Sequence, residues 1–213
     1  MGISTIAQNE HIQIMQAVMK EIKSLPLALK GGTALLLCYD LDRFSEDLDL
    51  DGRKKVNIQS KLKSVLNRTT LKYEIRIPKD TETVQRLNVY YETLKSKGKL
   101  KIETSYRDGF SDKDTVEING IKTYKISKLI EQKISALKNR TTARDLYDVN
   151  FLISKYAEYF SSEIKNILLE VAGDITTLES RFRIVFENDD IFAKDVSFDD
   201  ILLNLSESIT RLK

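Results

Sequence analysis

The residues with the most evident capacity for chemistry lie between positions 29 and 51. Asp47, Asp49 and Asp51 alternate with Leu48 and Leu50, and in a strand successive side chains point to opposite faces. The three carboxylates therefore share one face and the leucines take the other. Asp47 and Asp49 are then roughly 6.5 Å apart, within reach of one divalent cation or a close pair of them. Shortly upstream the apolar run through Leu29 ends at Lys30-Gly31-Gly32-Thr33 and passes into a leucine-rich helix. Two glycines let a ligand approach the backbone with no Cβ in the way. Thr33 offers a hydroxyl and an amide at a helix N-terminus, where an anion is favoured. A phosphate seat beside a metal seat is the layout of nucleotidyl transfer.

Further polar candidates lie downstream. In Leu100-Lys101-Ile102-Glu103-Thr104-Ser105-Tyr106, alternation puts Glu103 on the face opposite Leu100 and Ile102. If this strand neighbours the Asp47 strand, Glu103 is a third carboxylate for the metals; otherwise it is an exposed glutamate on a half-buried strand. Lys133 falls inside the apolar arc of Ile126, Leu129, Ile130, Ile134 and Leu137 at 100° per residue. There it needs an anionic partner, or it buries its stem and lifts its ammonium to the rim. Asp145 projects into the arc of Leu146, Val149, Leu152, Ile153 and Tyr156, with Asp148 at the edge. Asp145 is then either a helix-start dipole partner or one half of a polar pair with Lys133.

Whole-chain properties narrow the setting. The 213 residues are 41% hydrophobic and 31% charged, as in ordinary globular proteins rather than disordered ones. No apolar run approaches the roughly 18 residues that span a bilayer. The N-terminus lacks a basic segment followed by an apolar one, so no signal peptide is expected. Cys38 is the single cysteine, which rules out an internal disulfide and fits a reducing compartment; the expected location is the cytoplasm. His11 is the single histidine, too few for a His-based metal site or a Ser-His-Asp hydrolase, and it is read as a surface or packing residue. The formal net charge of +2 does not mark a nucleic-acid binder, and the patches Arg53 to Lys55, Lys61 to Lys63 and Lys95 to Lys101 are either solvated faces or local nucleic-acid contacts.

Periodicity supplies the frame. An amphipathic helix is expected from Asn9 to Lys23, a buried strand from Leu27 to Lys30, a helix from Thr33 to Tyr39, then the carboxylate strand and a helix to about Asn67. Strict alternation from Leu71 to Ile77, ended by Pro78, predicts a strand, followed by strands over Gln85 to Leu94 and Leu100 to Tyr106. From Ser127 onward proline disappears and helical periodicity takes over, with Ser127 and Thr141 or Thr142 as caps. Helices are expected over Phe160 to Val171, Thr177 to Phe186 and Phe198 to Leu212, with Arg181 and Arg183 on the surface. The fold class is α/β (α+β), a mixed sheet with flanking helices over residues 1–126 and a helical bundle over 127–213.

With these residues placed, the sequence resembles the AbiEii/AbiGii toxin family of nucleotidyltransferase-like proteins, related to the polymerase-beta-type nucleotidyltransferase superfamily. The resemblance rests on Lys30-Gly31-Gly32-Thr33 with its leucine-rich helix, on Arg43-Phe44-Ser45-Glu46-Asp47-Leu48-Asp49-Leu50, and on Lys133 with Arg140 to Asp148. These stretches come in the family's order over roughly residues 29 to 153. The resemblance implies Mg2+ or Mn2+ held by Asp47 and Asp49, and nucleoside triphosphate phosphates placed by Gly31, Gly32 and Thr33. It implies phosphate contacts from Arg43 and Ser45, a Lys133 that neutralises triphosphate charge, and an Asp145 that completes the catalytic set; Arg144 and Asp148 match neighbouring positions. Glu103 stands where the superfamily has an aspartate. A role as the toxin of a toxin–antitoxin pair, with a cognate antitoxin as partner, also follows from the resemblance. So does a nucleotide acceptor that is an RNA, transfer RNA included, or a protein hydroxyl. A catalytically silent nucleotide- or RNA-binding module and a small-molecule, antibiotic-modifying transferase are the competing readings.

Overall fold

The computed structural model describes residues 5–189 and 196–212, and the chain divides into two compact units, Met1–Lys125 and Ile126–Lys213. The first unit begins with α1 (Ile6–Glu21), closed by a reciprocal capping box between Thr5 and Gln8. Then come β1 (Leu27–Lys30), α2 (Gly31–Cys38), β2 (Leu48–Gly52), α3 (Gln59–Thr69), β3 (Lys72–Asp80), β4 (Val84–Glu92), β5 (Lys97–Ser105), β6 (Thr115–Ile118) and β7 (Ile121–Tyr124). The seven strands form one mixed sheet in the order β3-β4-β5-β2-β1-β7-β6. An α/β class with a mixed sheet and a helical C-terminal region is thus observed.

Alternation decides which face is core. Leu48, Leu50, Leu87, Val89, Leu100 and Ile102 are buried, as are Met15, Val18 and Met19 of α1 and Leu62, Val65 and Leu66 of α3. The other face carries the intervening polar residues of β2, β4 and β5, which are half-buried or exposed. His11 is a packing residue. Its Nε2–H donates to the Glu46 carbonyl at 2.7 Å, which leaves Nδ1 to accept from the Tyr91 hydroxyl at 2.6 Å. That pair ties α1 to β4 and to the loop that delivers Asp47. Cys38 keeps a thiol pushed up to about 12 by burial, as suits a small apolar filler.

Pro78 and the β6–β7 hairpin depart from the sequence reading. Pro78 does not end β3, which continues to Asp80 with a register shift between Arg76 and Lys79. β3 is the sheet's edge strand, and there proline's missing N–H leaves no partner unpaired. The β6–β7 hairpin was not anticipated: Asn119 (φ 54°) and Gly120 (φ 75°) make the left-handed two-residue turn between Ile118 and Ile121. β7 then pairs in parallel with β1, so this short hairpin completes the sheet.

The second unit comprises α4 (Ile126–Asn139), α5 (Ala143–Tyr156), α6 (Ser162–Ala172), α7 (Ile175–Glu187) and α8 (Phe198–Leu212). Its core is built from Leu129, Ile130, Ile134, Leu137, Leu146, Val149, Leu152, Leu168, Phe182 and Leu205. α4 starts at Ile126, so Ser127 lies inside the helix rather than at its cap. Ser161 and Asp174 cap α6 and α7. Arg181 is more than a surface residue: it is half-buried over the Phe182 ring and donates at 3.0 Å to the Leu137 carbonyl. A cation there satisfies one of the last, unpaired carbonyls of α4.

Candidate active site

Strand register assembles the site of the first unit. Lys30 of β1 lies opposite Asp49 of β2, Asp49 opposite Glu103 of β5, and Glu103 opposite Arg86 of β4. Neighbouring strands are about 4.8 Å apart and directly opposed residues share a face. The four therefore make one transverse row of charged side chains across the open face. Asp47 ends the loop before β2, and Lys101 Nζ reaches its Oδ2 at 2.5 Å. Glu103 has the position that a third carboxylate requires, but Arg86 holds its Oε2 at 2.6 Å. Asp51, third in the alternation, is fully engaged: Lys30 Nζ lies 2.6 Å from Oδ1, and the Tyr124 hydroxyl donates to Oδ2 at 2.7 Å. Among the described residues no three His, Cys, Asp or Glu side chains gather as a metal cage.

Asp49 is the exception in the row. Its carboxylate makes no hydrogen bond or ion pair among the described residues. Burial pushes its carboxyl above the usual carboxylate range; Lys101 and Lys30 oppose this, while Asp47 and Glu103 add like charge to it. For Lys101 burial works against the charged form, but the hydrogen bond to Asp47 and the charges of Asp47, Asp49 and Glu103 outweigh it and hold the ammonium above its ordinary value.

The glycine pair packs directly on these groups. Gly31 has φ +73°, and a Cβ there would stand 3.3 Å from Asp49 Oδ2. A Cβ on Gly32 would meet Arg43 Nη2 at 2.8 Å and Ser45 Oγ at 3.1 Å. α2 begins at Gly31, two residues earlier than expected, and no side chain caps it, so its first amides have no intrahelical acceptor. Thr33 is buried, and its hydroxyl bonds the Asp47 carbonyl and the Ser45 hydroxyl, the latter at 2.8 Å. It therefore fastens the Asp47 loop to α2 and leaves anion contact to the backbone. Gly31→Ala is expected to lower stability by about 1–2 kcal/mol, the usual cost of a left-handed residue with a side chain. A fall in the thermal midpoint measured by circular dichroism checks this.

Lys133 and Asp145 belong to the second unit and form a cluster of their own. Lys133 Nζ lies 2.6 Å from Asp148 Oδ2 and 3.2 Å from Asp145 Oδ1. Arg140 adds Nε to Asp145 Oδ2 at 2.6 Å, and the Thr142 hydroxyl donates to the same carboxylate. Asp148 is wholly buried and nearer to the lysine than Asp145, so placing it at the edge of its arc undervalued it. Burial would raise the Asp145 carboxyl, but Arg140, Lys133 and Thr142 outweigh burial and hold it low. Lys101, Arg86 and Lys30 are charged neighbours of the carboxylates that the sequence reading did not place there. For Lys101 a signal was available as a mirrored pattern, Lys101-Ile102-Glu103 beside Asp47-Leu48-Asp49.

Comparison with known proteins places the chain in a family. No curated protein sequence matches the chain. The crystal structure of JHP933 from Helicobacter pylori is 34% identical, covers 96% of this chain and 91% of its own, and superposes with a TM-score of 0.91. Another solved H. pylori structure matches with 32% identity, coverage of 96% and 93%, and a TM-score of 0.87. MenT4, a nucleotidyltransferase toxin from Mycobacterium tuberculosis, shares the fold at 15% identity, with 96% and 83% coverage and a TM-score of 0.57. The family described as nucleotidyl transferase AbiEii toxin, type IV toxin–antitoxin system, matches residues 13–206. A glycine-led helix start packed on a carboxylate strand is therefore met here in a transferase, and the chain belongs to the AbiEii nucleotidyltransferase toxin family.

Proposed function

We propose that this toxin nucleotidyltransferase moves a nucleotide from a nucleoside triphosphate to a hydroxyl of RNA, with the end of transfer RNA as the first acceptor to test. The observation that carries the reading is that Asp49 occupies the space a Cβ on Gly31 would approach to 3.3 Å. A helix start without a capping side chain lies against a carboxylate that has no ion pair of its own, so an anion seat and a cation seat adjoin. Asp47 and Asp49 suit a divalent cation, because both are oxygen donors on one face and Asp49 is held short of counter-charge. When bound, Mg2+ or Mn2+ would lower the pKa of an attacking hydroxyl and neutralise charge on the leaving pyrophosphate.

The chain's own groups account for the rest. The amides of Gly31 and Gly32 receive phosphate oxygens at the dipole end of α2, with Arg43 and Ser45 packed against Gly32 as the adjoining polar groups. Thr33, through Ser45 and the Asp47 carbonyl, fixes the spacing between anion and cation seats. Lys97, Lys99 and Lys101 alternate along the open face of β5, leading away from the carboxylates, and this supports a polyanionic acceptor over a small molecule. In the second unit Lys133, Asp145 and Asp148 are spent on one another; we assign them the task of holding α4 to α5. Membership of the family makes a cognate antitoxin the natural partner, and the reading places the reaction in the cytoplasm, where triphosphates and RNA occur together.

Each radiolabelled triphosphate, incubated with the chain, Mg2+ or Mn2+, bulk transfer RNA, total protein and aminoglycosides, separates the acceptors. Label is expected on RNA, and Asp47→Ala should remove it. Label on protein or aminoglycoside would move the acceptor to that class. Nucleotide binding without pyrophosphate release would leave a silent binding module.

A further inference from the structure

We infer that Lys101 occupies the cation seat of Asp47 while no metal is bound, and that binding of a divalent cation turns its ammonium over to the nucleotide's phosphates. The inference rests on the reading of Asp47 and Asp49 as the metal-binding pair. Its ground is geometric. Lys101 Nζ sits 2.5 Å from Asp47 Oδ2 on the open face, and both side chains are about one-third exposed, 33% for the lysine and 29% for the aspartate. The contact is therefore open to exchange with solvent ions. Asn88, the cross-strand partner of Lys101 on β4, offers no carboxylate to hold the ammonium elsewhere.

Charge balance gives the exchange its direction. Four carboxylates, Asp47, Asp49, Asp51 and Glu103, face three cations, Lys30, Lys101 and Arg86, so these side chains together carry one net negative charge without metal. A divalent cation at Asp47 and Asp49 over-compensates and repels the ammonium beside it. A triphosphate, with several negative charges, is then the anion the displaced lysine can pair with. Arg86 and Glu103 stay paired next to it, which keeps a second cation from following. Lys101 thus acts against metal in the empty chain and in favour of nucleotide in the loaded one.

The two effects have opposite signs, and this is what the experiment reads. Mn2+ binding to the full chain without nucleotide is followed by electron paramagnetic resonance for wild type, Lys101→Met, which keeps an unbranched stem and loses the charge, and Lys101→Arg. Removing the competing cation should tighten Mn2+ binding about three- to tenfold, as the loss of a partly screened ion pair allows. Lys101→Arg should stay near wild type. The KM for triphosphate should rise in Lys101→Met while circular dichroism shows the fold intact. Equal or weaker Mn2+ binding by a folded Lys101→Met, with wild type binding normally, overturns the role of Lys101 alone. Failure of every folded form, wild type included, to bind Mn2+ at millimolar concentration overturns the metal-pair reading and this inference together.

Discussion

Asp49→Asn is expected to abolish nucleotide transfer and to make the metal-free chain more stable. Loss of one ligand to the catalytic cation should lower kcat/KM by a factor of about 1,000 or more, some 4 kcal/mol of transition-state stabilisation. Stability moves the other way because Asp49 is desolvated beside Asp47 and Glu103 and has no ion pair. An amide of the same shape removes the like charge. About 1 kcal/mol, or roughly 3 °C in the thermal midpoint, is the scale for a chain of this length.

The pH dependence has a definite sign. The folded-state carboxyl of Asp49 is raised above its unfolded value, so the folded chain takes up the proton first as pH falls. Wild type therefore recovers stability as pH drops through the raised value toward the ordinary carboxylate range. The advantage of Asp49→Asn should be full at neutral pH and shrink on acidification. Stabilisation by Mg2+ with triphosphate, seen as a midpoint that climbs with ligand concentration, should be present in wild type and absent in the variant. An Asp49→Asn chain that is less stable than wild type, or that still transfers nucleotide, contradicts this assignment.

The second large effect is expected in the α4–α5 pair. Lys133→Met takes from the buried carboxylates Asp145 and Asp148 the ammonium that both contact, while Asp145 keeps Arg140 and Thr142. Breaking a buried pair by removing one partner costs about 3–5 kcal/mol, a large part of the roughly 5–15 kcal/mol that holds a domain together. Asp148→Asn should cost about 3 kcal/mol by the same argument. The double variant Lys133→Met with Asp148→Leu should recover most of the loss, because both the charge and its counter-charge are gone while Asp145 keeps Arg140. Urea denaturation followed by circular dichroism measures all three.

Asp145 adds a pH signature with the opposite sign to Asp49. Its carboxyl is held low in the fold, so the stability it contributes is full above the ordinary carboxylate range. That contribution is lost as pH falls through the lowered value. If the refolded double variant still transfers nucleotide, Lys133 is a structural residue, as its pairing indicates. If it folds normally but is inactive, Lys133 touches substrate.

Local patterns were legible wherever one strong period governed a segment. Leu27 to Lys30 is a strand at both ends as read, and Leu48-Asp49-Leu50 divides its side chains between faces as alternation requires. α8 was readable at both ends, whereas α1, expected from Asn9 to Lys23, runs from Ile6 to Glu21. What was not legible depended on partners distant in sequence. Pro78 reads as a stop unless the strand is known to be at the sheet's edge. Asp148 lies at the edge of its own helix's arc, yet it is completely buried, with Lys133 of α4 2.6 Å from its Oδ2. Lys101 looked like one of several lysines in a basic run until parallel pairing of β2 with β5 set it beside Asp47. Thr33 illustrates the same limit at short range: its type and position suit phosphate, but Ser45 and the Asp47 carbonyl take its hydroxyl.

The central claim is that Asp47, Asp49 and the Gly31-Gly32 helix start make one working site for a triphosphate. Pyrophosphate release by the purified chain, measured with each triphosphate in turn and bulk transfer RNA, tests it most directly. Release is expected with at least one triphosphate, dependent on Mg2+ or Mn2+, stopped by EDTA and absent in Asp49→Asn. Release that persists in EDTA, or at the wild-type rate in Asp49→Asn, would contradict it.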